Sequence, residues 1–196
     1  MRINAVIFDM DGTLTRPILD FDAIRNEMGG IEGPILEAMA KMNASQRLHA
    51  NEVLLRHERH AAAQSQLNPG VHDLFEQLRS DGRYIGLLTR NSAESVETIS
   101  RVHKIAFDAV ITREDDGPIK PDPWPFSQLC QKLDVPPENA IMVGDYLFDI
   151  LCGRSAGAKT VLLTTYHAYK SFEDDADYVV DHLQELIGVL TELEKP

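Results

Sequence analysis

The sequence predicts an α/β fold: a parallel sheet with helices on both faces, plus an all-helical segment inserted after the first strand. Three observations carry this. Short apolar runs recur at residues 3–8 (INAVIF), 84–88 (YIGLL), 109–112 (AVIT), 140–143 (AIMV) and 160–163 (TVLL). They are continuous rather than alternating, as strands covered on both faces read. Amphipathic helical patterns separate them from the second run onward, the rhythm of a parallel sheet. Residues 21–66 interrupt that rhythm, because no strand-like run occurs there.

Taken in order, the first run leads directly into Asp9, Asp11 and Thr13. In the insertion, Ile24, Met28, Ile31, Ile35, Met39 and Met42 predict two short helices broken at Gly29-Gly30 and Gly33-Pro34. Residues 45–64 then read as one long helix rich in Ala, His, Arg and Glu. The tripeptide Asn68-Pro69-Gly70 starts a helix whose apolar face is Val71, Leu74, Phe75 and Leu78. Residues 92–104 follow the second strand with Val96, Ile99 and Val102 on one side. Residues 124–133 and 147–156 predict helices after the third and fourth strands, and 182–193 forms a last amphipathic stretch.

The 196 residues suffice for one α/β domain with a modest insertion. Nineteen basic against 31 acidic residues give a formal charge of −12, which argues against a nucleic acid polymer or an anionic membrane as partner. An anionic small molecule would need local help, from a metal or a helix N-terminus. No apolar run approaches the ~20 residues of a membrane span, and the N-terminal stretch does not read as a signal peptide. The two cysteines, Cys130 and Cys152, make no disulfide framework and read as core thiols in a cytoplasmic protein. Nothing in the sequence reads out an oligomeric state.

In an open parallel sheet, ligands bind beyond the carboxyl ends of the strands. After the first strand stand Asp9 and Asp11; after the second, Thr89, Arg90 and Asn91; after the third, a loop carries Lys120 in KPDP; after the fourth come Asp145 and, one turn on, Asp149. Several carboxylates together need a compensating cation, and an all-oxygen set suits Mg²⁺. Thr89, Arg90, Asn91 and Lys120 are donors suited to a tetrahedral oxyanion. A carboxylate nucleophile, a second carboxyl for proton transfer, a metal and a ring of donors describe phosphoryl transfer.

The set DMDGT, LLTRN, IKPDP and VGDYLFD resembles the haloacid dehalogenase-like hydrolase superfamily, most of all its phosphoglycolate phosphatase-like branch with a small helical cap after the first strand. The resemblance covers nearly the whole chain. It implies a Rossmann-like core of residues 1–15 and 68–196, a cap of residues 16–67, and a first strand lying between the second and fourth. It implies Asp9 as the nucleophile that forms an aspartyl-phosphate and Asp11 as the acid and base. Thr89 and Lys120 would hold the phosphoryl group. Asp9, the Asp11 carbonyl and Asp145 would bind Mg²⁺, with Asp149 orienting the metal shell. Asp11 favours phosphate esters, since halide leaves without a proton and dehalogenase members lack this acid.

The expected function is therefore a Mg²⁺-dependent phosphatase acting on a small phosphorylated metabolite. A phosphomutase of the β-phosphoglucomutase type shares this chemistry, and a phospho-receiver signalling domain combines similar residue types. Receivers, however, place the accepting Asp on a later strand and lack a helical insertion. Arg47, His49, Arg56, His57, Arg59 and His60 make the long cap helix locally basic, either as a solvated surface or as a face toward an anionic group. RHERH lacks the spacing of a zinc HExxH motif.

Overall fold

A computed structural model describes residues 2–166 and 173–195; the ends of the expected core, Met1 and Pro196, lie outside the described residues. Six parallel strands form one sheet in the order β3-β2-β1-β4-β5-β6, so β1 lies between β2 and β4 as expected. The strands are β1 (Ala5–Phe8), β2 (Tyr84–Leu88), β3 (Ala109–Ile111), β4 (Ala140–Gly144), β5 (Lys159–Leu163) and β6 (Tyr178–Val180). The pairings Phe8↔Leu87 and Phe8↔Val143 bring three strand ends level, and the chain leaves all three at the same edge.

Both faces of β1 are covered, which explains its unbroken apolar run. Val6 and Phe8 join a core with α4 (Val71–Ser80), α5 (Ala93–His103) and α8 (Leu186–Leu193), where the Phe8 and Phe75 rings lie 5.6 Å apart. Ala5 and Ile7 face α6 (Trp124–Lys132) and α7 (Leu147–Ser155). Cys130 and Cys152 are free and buried in this second core, and burial pushes each thiol up to about 12.

The insertion folds as α1 (Phe21–Glu27), α2 (Ile35–Ala40) and α3 (Ala44–Gln64), with a separate core built on Ile24, Met39, Ala50, Val53 and Leu54. Asp20 caps α1 by accepting from the Ala23 N–H, and Asn43 and Gln46 form a reciprocal capping box at the start of α3. The two chain crossings into this unit are hydrogen-bonded to each other. Thr15 bridges Leu67 antiparallel, Asn68 N–H donates to Leu14 O at 2.8 Å, and the Asn68 amide donates to Thr13 O at 2.6 Å. No helix of the described residues is long and apolar enough to cross a membrane.

Two features differ from the sequence expectation. β6 is a three-residue edge strand set between Asp177 and Asp181, outside the expected apolar runs. The stretch from 182 onward opens with a 3-10 turn, Leu183–Glu185, before α8 begins.

The C-terminal end is clamped to the start of the sheet. Glu194 takes a two-pronged contact from Arg83, at 2.7 and 3.0 Å, and also accepts from the Ile3 N–H at 2.9 Å. The Arg83 hydrogen bonds, with that N–H, hold Glu194 below the usual glutamate range. A depressed carboxylate stabilises the fold above its unfolded pKa, and that contribution is lost as pH falls through the folded value. Glu194→Gln is therefore expected to lower the unfolding free energy by about 1–2 kcal/mol at neutral pH. The gap to the unsubstituted chain should narrow in urea titrations near about pH 4.

Candidate active site

All eight residues singled out at the strand ends line one cavity of about 420 Å³ between the sheet edge and the inserted helices. Asp9 directly follows β1, and its N–H donates to Val143 O on β4 at 2.9 Å. Asp145 follows β4 and Asp149 lies in the first turn of α7. One carboxylate oxygen from each of Asp9, Asp145 and Asp149 lies within 4.8 Å of the others.

Lys120 holds this cluster together. Its ammonium is 2% exposed and donates to Asp9 Oδ1 at 2.6 Å, Asp149 Oδ1 at 2.7 Å and Leu88 O at 2.7 Å. Those three bonds use all three N–H groups of an ammonium. Burial by itself would lower the Lys120 pKa, but Asp149 and Asp9 outweigh it and the net shift is upward. Asp149 uses its other oxygen to accept from the Tyr146 N–H at 3.1 Å, fixing the entry to α7.

Lys120 alone does not balance the anions. Burial pushes Asp9 well above the usual carboxylate range; Lys120 pulls it down while Asp149 and Asp145 raise it further. A buried group of oxygens with this much negative charge fits a hard divalent cation. The backbone is shaped to match. Gly12 has φ +82°, and a Cβ there would fall 2.5 Å from Asp145 Oδ2. Gly144 is equally constrained, since a Cβ would meet the Asp149 Cβ at 2.3 Å.

Asp11 sits apart from the oxygen cluster. Its Oδ2 accepts from the Asn91 amide at 2.5 Å and its Oδ1 from the Thr15 hydroxyl at 3.3 Å. Burial raises its pKa, and the Asn91 and Thr15 hydrogen bonds moderate the rise. The Thr89 hydroxyl oxygen accepts from the Asn91 N–H at 3.2 Å, which aims the β2 end at the same space.

Arg90 and Asn91, expected from sequence as donors to a bound anion, line the cavity and also have protein partners. Asn91 orients Asp11, as just described. Arg90 donates to Glu37 on α2 at 2.7 Å and to Lys120 O at 3.1 Å, with its guanidinium 4.7 Å from the Phe148 ring centre. The basic run of α3 also turns away from the cavity. Arg56 and His57 pair with Glu27 of α1, and Arg59 pairs with Glu94 of α5 at 2.8 Å. Arg47, His49 and His60 are exposed. The α3 residues that reach the cavity are Leu54 and Glu58.

Glu58 is the residue that sequence reasoning missed. It is 3% exposed and paired with Arg113, which also donates to Arg90 O at 3.2 Å. The pair links the inserted helices to the loop after β3 and, through Arg90 O, to the loop after β2. Its signal lay in helical periodicity: Glu58 falls on the stripe of Ala50, Leu54 and Ala62.

Comparison with known proteins agrees with this geometry. A family profile described as haloacid dehalogenase-like hydrolase matches residues 3–157. A haloacid dehalogenase-like hydrolase domain-containing protein of Arabidopsis thaliana is 31% identical over 207 residues, covering 96% of this chain and 84% of that one. The pyrophosphatase PpaX of Bacillus mycoides is 29% identical over 217 residues, covering 98% and 99% of the two chains. Among solved structures, a hydrolase from Pseudomonas syringae superposes with a TM-score of 0.84 at 21% identity, over 98% of this chain and 100% of that one.

The position of Lys120 yields a stability test. Lys120→Met leaves Asp9 and Asp149 buried without their shared cation. In urea titrations with chelator at neutral pH, it is expected to cost about 3 kcal/mol. Adding Asp149→Asn should recover part of that loss. Equal stability of Lys120→Met and the unsubstituted chain would contradict the assignment.

Proposed function

This chain belongs to the haloacid dehalogenase-like hydrolase family, and from that membership we propose that it is a Mg²⁺-dependent phosphatase. It hydrolyses a small phosphomonoester through an aspartyl-phosphate intermediate. The observation that carries this reading is the convergence of Asp9, Asp11, Thr89, Lys120 and Asp145 on one cavity. The proposal includes the division into a catalytic core, residues 1–15 and 68–196, and a cap, residues 16–67.

Asp9 is the nucleophile. Its carboxylate attacks phosphorus, forming the Asp9–phosphorus bond as the bond to the leaving alcohol breaks. Lys120, bonded to Asp9 Oδ1, holds that carboxylate in one rotamer and offsets its charge. Thr89, at the end of β2, offers its hydroxyl to a phosphoryl oxygen.

Asp11 gives its proton to the departing alkoxide oxygen. Now a carboxylate, it takes a proton from water, whose oxygen attacks phosphorus and releases Asp9 with inorganic phosphate. Burial suits Asp11 to the first step by favouring its protonated form, and Asn91 keeps the carboxyl aimed. Closure of the inserted helices over the cavity would exclude bulk water during the reaction.

Asp9, the Asp11 carbonyl and Asp145 are the groups that would hold Mg²⁺, with Asp149 acting through Lys120 and the backbone of Tyr146. When bound, the ion supplies positive charge beside the phosphoryl oxygens.

Asp9→Asn should lower turnover of phosphate esters by about 10⁴-fold or more. Its circular dichroism spectrum should match that of the unsubstituted protein. Chelator should abolish activity and added Mg²⁺ restore it. Undiminished activity in Asp9→Asn would refute the nucleophile assignment. A hexose phosphate isomerised with little free phosphate would replace the phosphatase reading by a phosphomutase.

A further inference from the structure

The cavity has two chemically different parts. Its floor carries carboxylates, Lys120 and Thr89, whereas much of its remaining wall is apolar, with Leu19, Phe21 and Leu36 from the inserted segment and Phe148 from α7. Single exposed apolar side chains are ordinary. Here several share one enclosure with an acidic floor, and Phe21 is 50% exposed. A volume of about 420 Å³ also exceeds the needs of a bare phosphate and falls in the range of pockets that enclose organic ligands.

Charge narrows the occupant further. Among the described residues, the basic side chains lining the cavity are Lys120, Arg25 and Arg90. Lys120 is committed to Asp9, Asp149 and a carbonyl. Arg90 is paired with Glu37 at 2.7 Å and Arg25 with the exposed Asp22 at 2.6 Å. The charged side chain that α3 adds to the wall is an acid, Glu58, neutralised by Arg113. A second anionic group on the substrate would meet arginines already neutralised by acids, and would lose its hydration against apolar surface without compensation.

We infer that the phosphate is carried by an uncharged, largely apolar alcohol or phenol, and that Phe21, Leu36 and Phe148 grip its hydrocarbon body. The inference rests on the phosphatase reading and narrows it, away from pyrophosphate and from carboxylate-bearing esters. An apolar group has favourable contact with this wall, whereas a carboxylate or second phosphate does not. Leu19, Phe21 and Leu36 of the inserted segment, with Phe148 of α7, thus select for what the phosphate is attached to, while the residues at the strand ends recognise the phosphate.

Binding and turnover test this separately. Calorimetry on the intact protein with Mg²⁺ compares benzylphosphonate with phosphonoacetate, neither of which can be hydrolysed at an ester bond. Benzylphosphonate is expected to bind about tenfold more tightly or better. In turnover, benzyl phosphate should exceed phosphoglycolate and pyrophosphate in kcat/KM. Phe21→Ala should lower the benzyl-to-ethyl phosphate preference about tenfold. Phosphonoacetate binding as tightly as benzylphosphonate, or pyrophosphate as the best substrate, would overturn the inference. So would an unchanged benzyl-to-ethyl preference in Phe21→Ala. Tight benzylphosphonate binding with no turnover of any ester would support the ligand class and sink the phosphatase reading instead.

Discussion

One buried ammonium, Lys120, makes the carboxylate cluster possible. Asp9, Asp145 and Asp149 are buried and lie close enough together that their mutual repulsion would otherwise favour protonation or local unfolding. Lys120 contacts two of them and anchors its third N–H on the end of β2. It therefore ties the loop after β3 to β1, β2 and α7 in a single contact set. The sheet order serves this arrangement. With β1 between β2 and β4, the acids of two neighbouring strand ends and the hydroxyl of a third share one edge.

The inserted helices solve a different problem. They have their own apolar core, Ala62 of α3 joins the main core, and three ion pairs link them to the rest of the protein: Arg90 with Glu37, Arg113 with Glu58, Arg59 with Glu94. An exposed ion pair such as Arg59–Glu94 can part at little cost. The buried Glu58–Arg113 pair differs, since separating it would leave both charges without compensation. Roof and floor are thereby coupled through Arg113, which also touches the carbonyl of Arg90 in the loop that carries Asn91 and Thr89.

Much of this was legible in the sequence, for physical reasons. Strands buried on both faces leave unbroken apolar runs, so β1, β2, β4 and β5 could be placed to within a residue or two from Ala5–Phe8, Tyr84–Leu88, Ala140–Gly144 and Lys159–Leu163. The ends of those runs then place Asp9, Thr89 and Asp145 on one edge, with Lys120 in the loop beyond β3. What escaped was whatever depends on direction rather than position. Residue type made Arg90 an anion donor, but only packing shows that Glu37 and Phe148 take it. In RHERH every residue is polar, so composition pointed to the basic residues. Periodicity instead selects Glu58, because it shares the inward stripe with Leu54 and Ala62. β6, Tyr178–Val180, escaped because its three residues sit between Asp177 and Asp181 and Val179 is exposed, so no buried apolar run marks it.

The central claim is that Asp9, held by Lys120 and surrounded by further acids, becomes covalently bound to phosphorus during turnover. Acid quenching of the working enzyme, borohydride reduction and peptide mass mapping test it directly, because an acyl-phosphate is reduced to an alcohol whereas a free carboxylate is not. The account predicts homoserine at position 9, appearing only when a phosphate ester and Mg²⁺ are both present. Reduction at another acidic residue, or none during sustained turnover, would contradict it.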